Sequence, residues 1–255
     1  MQLMPTLFIG HGSPMNIIED NQFVHGWRQI VTSLPKPKAI LAVSAHWYTE
    51  GTRVMDNKLP RTIHDFYGFP EQLYSINYPA SGNPTLAKRI LEILGNAAVL
   101  DGSWGLDHGT WCVLRAMYPN ADIPVLQVSV NRRMSAEEHL ALGKKLKDLR
   151  SQGVMIFGSG NVVHNLGMIQ FSRNGGYDWA YEFDNYIAEC VSNNDKKGVV
   201  GYKAFGQVAE LAVPIPDHFY PLLYVLGAAE ETDEIRVYNQ DCIMGSLSMT
   251  SYVFA

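Results

Sequence analysis

Three histidines stand just past short apolar runs that read as buried strands. His11 follows Thr6–Ile9 in Phe8-Ile9-Gly10-His11-Gly12-Ser13-Pro14, and His46 follows Ala39–Ser44 in Ser44-Ala45-His46-Trp47. His164 follows Val154–Ser159 through the turn Gly160-Asn161-Val162-Val163. In an open α/β sheet, ligands bind beyond the carboxyl ends of parallel strands, so three such ends bring three imidazoles to one edge. Two more histidines stand where helices begin: His108 in Asp107-His108-Gly109-Thr110-Trp111, and His218 in Pro216-Asp217-His218-Phe219-Tyr220. Both helices can enter the same pocket from that edge. A lone histidine in a turn is more often a hydrogen-bonded surface residue than a ligand. Three at strand ends, each beside Gly, Ser or Asn, argue against coincidence. Neutral imidazoles with open positions beside them suit Zn2+ or Fe2+ without any thiolate. The spacing leaves both metal-assisted hydrolysis and chemistry with oxygen open. His25, His64 and His139 lack this placement, and His139 reads as solvated on an exposed helix face.

The elements that must position these residues alternate. Apolar runs at Thr6–Ile9, Ala39–Ser44, Ala98–Leu100, Pro124–Val130 and Val154–Ser159 are continuous rather than alternating, the pattern of strands buried on both faces. Helical spacing fills Asn21–Leu34, Asn83–Leu94 and Ser135–Ser151, the last opened by the capping sequence Ser135-Ala136-Glu137-Glu138. Further helices are expected at Tyr177–Ser192 and His218–Ala228. Two tail strands are expected at Ile235–Asn239 and Ser246–Phe254, the last at a sheet edge because of its Ser/Met/Thr/Tyr alternation. Strand and helix in turn predict an α/β three-layer sandwich, with helices on both faces of a mainly parallel or mixed sheet. No linker or repeat divides the chain, so residues 1–255 read as one catalytic domain. The irregular stretch Gly51–Ser81 is long for a loop, and such loops are usually functional.

Composition narrows the function classes. With 20 Lys+Arg against 25 Asp+Glu, the net charge of −5 gives no footprint for nucleic acid or an anionic membrane. The largest basic cluster, Lys144, Lys145, Lys147 and Arg150, reads as a solvated helix face. No apolar run approaches the roughly 20 residues that span a bilayer, and the first ten residues lack the basic start of a signal peptide. The three cysteines, Cys112, Cys190 and Cys242, are far apart and form no C-x-x-C, so reduced, buried thiols in a cytoplasmic protein are expected. There is no G-x-S-x-G, P-loop or H-E-x-x-H sequence, and no complete dinucleotide fingerprint.

Six segments occur in order along the chain: Gly10-His11-Gly12-Ser13-Pro14, Ser44-Ala45-His46-Trp47, His64-Asp65-Phe66-Tyr67-Gly68-Phe69-Pro70, Trp104 to Trp111, Gly160 to Leu166, and Asp217-His218-Phe219-Tyr220-Pro221-Leu222-Leu223. Together they resemble the class III, LigB-type extradiol ring-cleavage dioxygenases, in particular the DOPA 4,5-dioxygenase-like branch. The resemblance implies a divalent metal held by His11, His46 and His218, with His164 as the acid/base residue, close enough to ligate as well. It implies that His108 steers oxygen or substrate. Where the protocatechuate branch has a carboxylate as third ligand, this chain has His218, with Asp217 beside it. The implied reaction opens a catechol with O2 to a semialdehyde acid at Fe2+, although three imidazoles suit Zn2+ equally. Trp47, Tyr48, Phe66 and Tyr220 are wall candidates for an aromatic ring, with ordinary core packing as the competing reading. Arg53, Lys58, Arg61 and Arg132 are unranked partners for a substrate carboxylate. The rival readings on the same fold are a zinc-dependent hydrolase and a non-catalytic metal-binding module. A binding module has no need of both His108 and His164 beside three ligands. Oligomeric state is not legible in the sequence.

Overall fold

The computed structural model describes residues 3–255. The strands of the first part are β1 (Thr6–Gly10), β2 (Ala39–Thr49), β3 (Thr52–Val54), β4 (Ala98–Leu100) and β5 (Val125–Asn131). They are followed by β6 (Val154–Gly160), β7 (Ile235–Tyr238), β8 (Cys242–Ile243), β9 (Leu247–Ser248) and β10 (Ser251–Phe254). Between them run α1 (Gln22–Thr32), α2 (Glu71–Tyr74), α3 (Pro84–Leu94), α4 (His108–Met117) and α5 (Ala136–Leu146). Four more helices follow: α6 (Asp178–Ser192), α7 (Lys196–Val200), α8 (Gln207–Ala212) and α9 (Tyr220–Ala228).

Eight strands form one mixed sheet in the order β4-β3-β5-β2-β6-β1-β10-β7, while β8 and β9 pair separately. Its centre, β5-β2-β6-β1, is parallel throughout. These are the continuous apolar runs of the sequence, and both faces of them are covered, as parallel strands require. The helical layers follow from strand alternation. A side chain on Gly158 would run into Pro221 and Val225 of α9, whereas the next residue, Ser159, turns its hydroxyl to the carbonyl of Gly109 in α4. Thus α9 and α4 cover opposite faces, and the expected three-layer sandwich is the observed one. Local signals set the helix starts: Asn21, Asn83 and Asp107 cap α1, α3 and α4, and the Ser135–Glu138 capping box opens α5. No helix among the described residues is long and apolar enough to cross a membrane. The three cysteines are free and buried.

Five expectations about the fold are corrected. β2 runs on to Thr49, so His46 lies within the strand, at a register shift against β5 between Ser44 and Tyr48, rather than after its end. The stretch Gly51–Ser81 contains β3 and α2. The tail strand β10 is interior, between β1 and β7. Its first residue is satisfied inside: Ser251 Oγ accepts the Gly10 N–H at 3.1 Å and donates to Met249 O at 3.1 Å. His139 is fully buried, with Nδ1 3.2 Å from Tyr224 Oη, because α5 lies directly on α9 where Gly143 and Gly227 let the backbones meet. His139 precedes Gly143 by one turn on that same face.

Arg150 is likewise buried rather than solvated. Its Nη1 and Nη2 donate to both Asp233 oxygens at 2.7 and 2.9 Å, its Nε to Met4 O at 2.6 Å, and Nη1 also to Ala228 O at 3.0 Å. Arg150→Ala strands that carboxylate and both carbonyls, and is expected to lower unfolding free energy by about 3–5 kcal/mol, read as a lower urea midpoint. Asp184 of α6 ties down the tail by accepting Ser248 Oγ at 2.5 Å and Thr250 Oγ1 at 2.7 Å. Burial pushes its carboxyl up to about 6, against the pull of those two hydroxyls. The folded state therefore holds this proton more tightly than the unfolded chain, so stability from this group falls as pH rises from about 4 to about 6 and is level above. Asp184→Asn removes the slope: relative to the parent, the variant gains stability across that window in urea titrations. A drift of opposite sign contradicts the assignment.

Candidate metal centre

The carboxyl ends of β1 and β6 are in direct register, Gly10 opposite Gly160, and the His11 N–H donates to Gly160 O at 3.1 Å. His11 is thereby fixed at the floor of a cleft. The Asn161 N–H donates to His218 O at 2.9 Å, which hangs the turn before α9 from the end of β6. A side chain at Gly160 would collide with that carbonyl, so glycine is required there. On the other face, a Cβ at Gly109 would come within 2.8 Å of His46 Cδ2 and 2.9 Å of Ser44 Oγ. This brings the start of α4, with His108, against the β2 end. The α4 cap, Asp107, is fully buried. Its carboxylate accepts Ser44 Oγ (2.6 Å), Gln127 Nε2 (2.7 Å), Thr110 N–H (3.1 Å) and Trp104 Nε1 (3.3 Å), joining α4 to β2 and β5.

The rings of His11, His46 and His218 form a near-equilateral triangle, with centroids 5.0 to 5.2 Å apart. One nitrogen from each lies within 4.8 Å of the others. Their neighbours assign the tautomers. Ser159 Oγ donates to Gly109 O at 2.5 Å, so its 3.0 Å contact with His11 Nδ1 has the imidazole N–H donating. His46 Nδ1 lies 3.3 Å from Asp65 Oδ2, an ion-pair contact, and a carboxylate on that side of the ring favours the proton on Nδ1. Both Nε2 atoms then carry lone pairs, and they face each other at 3.2 Å. Two nitrogens on one tetrahedral ion at ordinary metal–nitrogen lengths stand about 3.3 Å apart. His218 is buried, and neither of its ring nitrogens has a hydrogen-bond partner; Nδ1 is 3.0 Å from Asp217 Oδ1 but out of line with it. An orphaned buried nitrogen aimed at two lone pairs fits a shared cation, and three imidazoles suit Fe2+ or Zn2+.

His164 and His108 flank the triangle. The His164 ring lies flat on His218, centroids 3.4 Å apart and planes within 6°, and groups with Asp217 rather than with His11 and His46. His108 packs 3.9 Å from the His46 ring, while its backbone N–H donates to Asp65 Oδ1 at 2.9 Å. Burial, then the other imidazoles, holds His11 and His46 well below the ordinary histidine range. Burial and His218 do the same for His164, partly opposed by Asp217. Burial alone would raise Asp65, but its bonds and charge contact with His108 outweigh that and keep the carboxyl low.

All five histidines singled out from the sequence line one cavity of about 470 Å³. Of the four wall candidates, Phe66 lines it. Trp47 stacks on Trp104 beside a neighbouring depression that also takes Tyr48, and Tyr220 packs on His139 at 4.4 Å. Arg53, Lys58, Arg61 and Arg132 are absent from its lining; Arg53 is paired with Asp101 and Arg132 with Glu50. Sequence reasoning missed Asp65 and Ser159, the acceptors behind His46 and His11. Asp65 lay within a quoted segment, but nothing local shows that its partners are distant histidines.

The family described as the catalytic LigB subunit of aromatic ring-opening dioxygenase matches residues 5–255. The chain belongs to the LigB family. It is similar to the 4,5-DOPA dioxygenase extradiol of Escherichia coli K12, 45% identical over 97% of this chain and 93% of that one. It is 39% identical to the protein of the same name from Beta vulgaris, over 98% and 96% of the two chains. A crystal structure of an uncharacterised protein from Escherichia coli K12 superposes with a TM-score of 0.86 at 40% identity, covering 99% of this chain and all of that one. This LigB-family protein is thus an enzyme of the extradiol ring-opening class, on the fold of its relatives.

Removing the acceptor behind His11 releases its ring and its tautomer together. Ser159→Ala is expected to weaken Zn2+ binding about 10- to 100-fold, measured by competition with a chromophoric chelator on protein of unchanged circular dichroism. An unaltered affinity contradicts the role given to Ser159.

Proposed function

We propose that the protein is a metal-dependent extradiol dioxygenase acting on a catechol of the DOPA type, opened at the 4,5 bond to a semialdehyde acid. The observation that carries this reading is the convergence of the His11 and His46 lone pairs with the unpartnered His218 ring, and two further histidines beside them, on the floor of one cavity. The names of the relatives, DOPA dioxygenases in a bacterium and in a plant, agree with it. His11, His46 and His218 hold the metal. When bound, Fe2+ supplies a Lewis acid for the two catechol oxygens and a site at which O2 meets the ring.

The chain's own groups do the rest. His164, held neutral by burial, takes the proton that a catechol hydroxyl gives up and returns it as the ring opens. Its stacking on His218 limits the motion of the ring while leaving it at the cavity wall. His108 stands on the other side, with Asp65 holding its backbone, and bounds the space where oxygen and ring meet. Phe66 meets the His108 ring edge-on at 5.5 Å and gives the aromatic substrate an apolar wall.

The test is anaerobic loading with Fe2+, addition of L-DOPA or another catechol, and admission of O2. Oxygen uptake with a yellow ring-opened product is expected; neither with any catechol rejects the reading. His11→Ala or His46→Ala should leave the protein with little bound metal by elemental analysis. His164→Ala should keep most of its metal and lose about 10²- to 10⁴-fold in turnover.

A further inference from the structure

The cavity continues outward from the histidines between two loops that expose large apolar side chains. On one side, Tyr67 is 92% exposed and sits beside Phe66 and Phe69, whose rings meet edge-on at 5.4 Å. On the other, Leu166, Ile169 and Phe171 follow β6, with Phe171 80% exposed. Both sets line the same space as His11, His46 and His218. Large apolar groups left in water at the rim of a polar site mark a binding surface. Its volume of about 470 Å³ falls in the range of drug-sized ligands and exceeds what a bare catechol ring fills.

Charge limits what can lie there. Besides the histidines, Asp65 is the ionisable acid lining the cavity, and its oxygens face His46 and His108. No Lys or Arg is among the described lining residues. An anionic substituent directed along these walls gives up water and meets no side-chain cation in return.

We infer that the rim formed around Tyr67 and Phe171 selects catechols whose ring substituent carries no net charge, and disfavours net anionic ones. The zwitterionic side chain of DOPA falls within the accepted class; a chain ending in a lone carboxylate does not. This inference rests on the catechol reading above. Tyr67 and Phe171 are the specificity-determining residues, since they reach past the metal site to the part of the substrate that varies.

The test uses protein loaded with Zn2+ under nitrogen, so that binding is read without turnover. Calorimetry compares a catechol carrying a butyl chain with the same catechol whose chain ends in a carboxylate. The butyl compound is expected to bind about tenfold or more tightly. In the double variant Tyr67→Ser, Phe171→Ser, that preference should shrink about fivefold, at equal zinc content by elemental analysis. Equal or tighter binding of the carboxylate overturns the selectivity and leaves the dioxygenase reading standing. An undiminished preference in the double variant removes these two residues from the role. If neither compound binds, and Fe2+-loaded protein consumes no O2 with any catechol, the catechol reading fails and this inference falls with it.

Discussion

Of the five imidazoles crowded into one cleft, those of His11, His46 and His164 are kept uncharged by their surroundings. The centroids within this cluster approach to between 3.4 and 5.7 Å, where two protonated rings repel strongly once water is excluded. Burial supplies that constraint for His11, His46 and His164 by making the charged form costly. What remains is to decide which nitrogen of each neutral ring keeps its proton. Ser159 decides it for His11 by accepting the Nδ1 N–H, and the Asp65 carboxylate favours the same tautomer of His46. The lone pairs left over face one another, and a cation is the group that turns this arrangement from a cost into a binding site.

The surrounding fold can be understood as the means of making that crowding possible. Parallel strands ending in register place His11 next to the end of β6, and the register shift in β2 brings His46 to the same floor. Two helix starts must then approach from opposite faces of the sheet, and glycine at 109 and 160 removes the Cβ atoms that would hold them off. Asp107 secures one of these approaches with four hydrogen bonds to groups on α4, β2, β5 and the preceding loop. Its carboxyl is pushed up by burial and by Asp65, so it is through saturation with donors that it can serve as a buried joint.

Polarity in the sequence misled where a buried partner lay far away in the chain. Arg150 and His139 sit among charged residues on α5 and the turn after it, and local pattern puts both in water. Asp233 and Tyr224, more than eighty positions downstream, draw them inside. The Ser/Met/Thr/Tyr alternation of the tail looks like a solvated edge for the same reason, since Asp184 and the Gly10 amide lie outside any local window. For the aromatic residues, the competing reading of ordinary packing holds for two. Trp47 adjoins His46 and Tyr220 lies two residues after His218, yet near neighbours along a chain point to different places, and both pack elsewhere.

By itself the sequence determined the α/β layering, the central strands, the principal helix starts and the five histidines of the site. These depend on signals carried within a few residues: continuous apolar runs, capping residues, and glycine-rich turns after strands. The set His11, His46 and His218 was implied by the resemblance, whereas tertiary structure alone decided which nitrogen of His11 and of His46 is free and which aromatic side chains line the cavity. Those properties depend on contacts between residues brought together by the sheet order, and on burial from all sides, neither of which is encoded at any single stretch of chain.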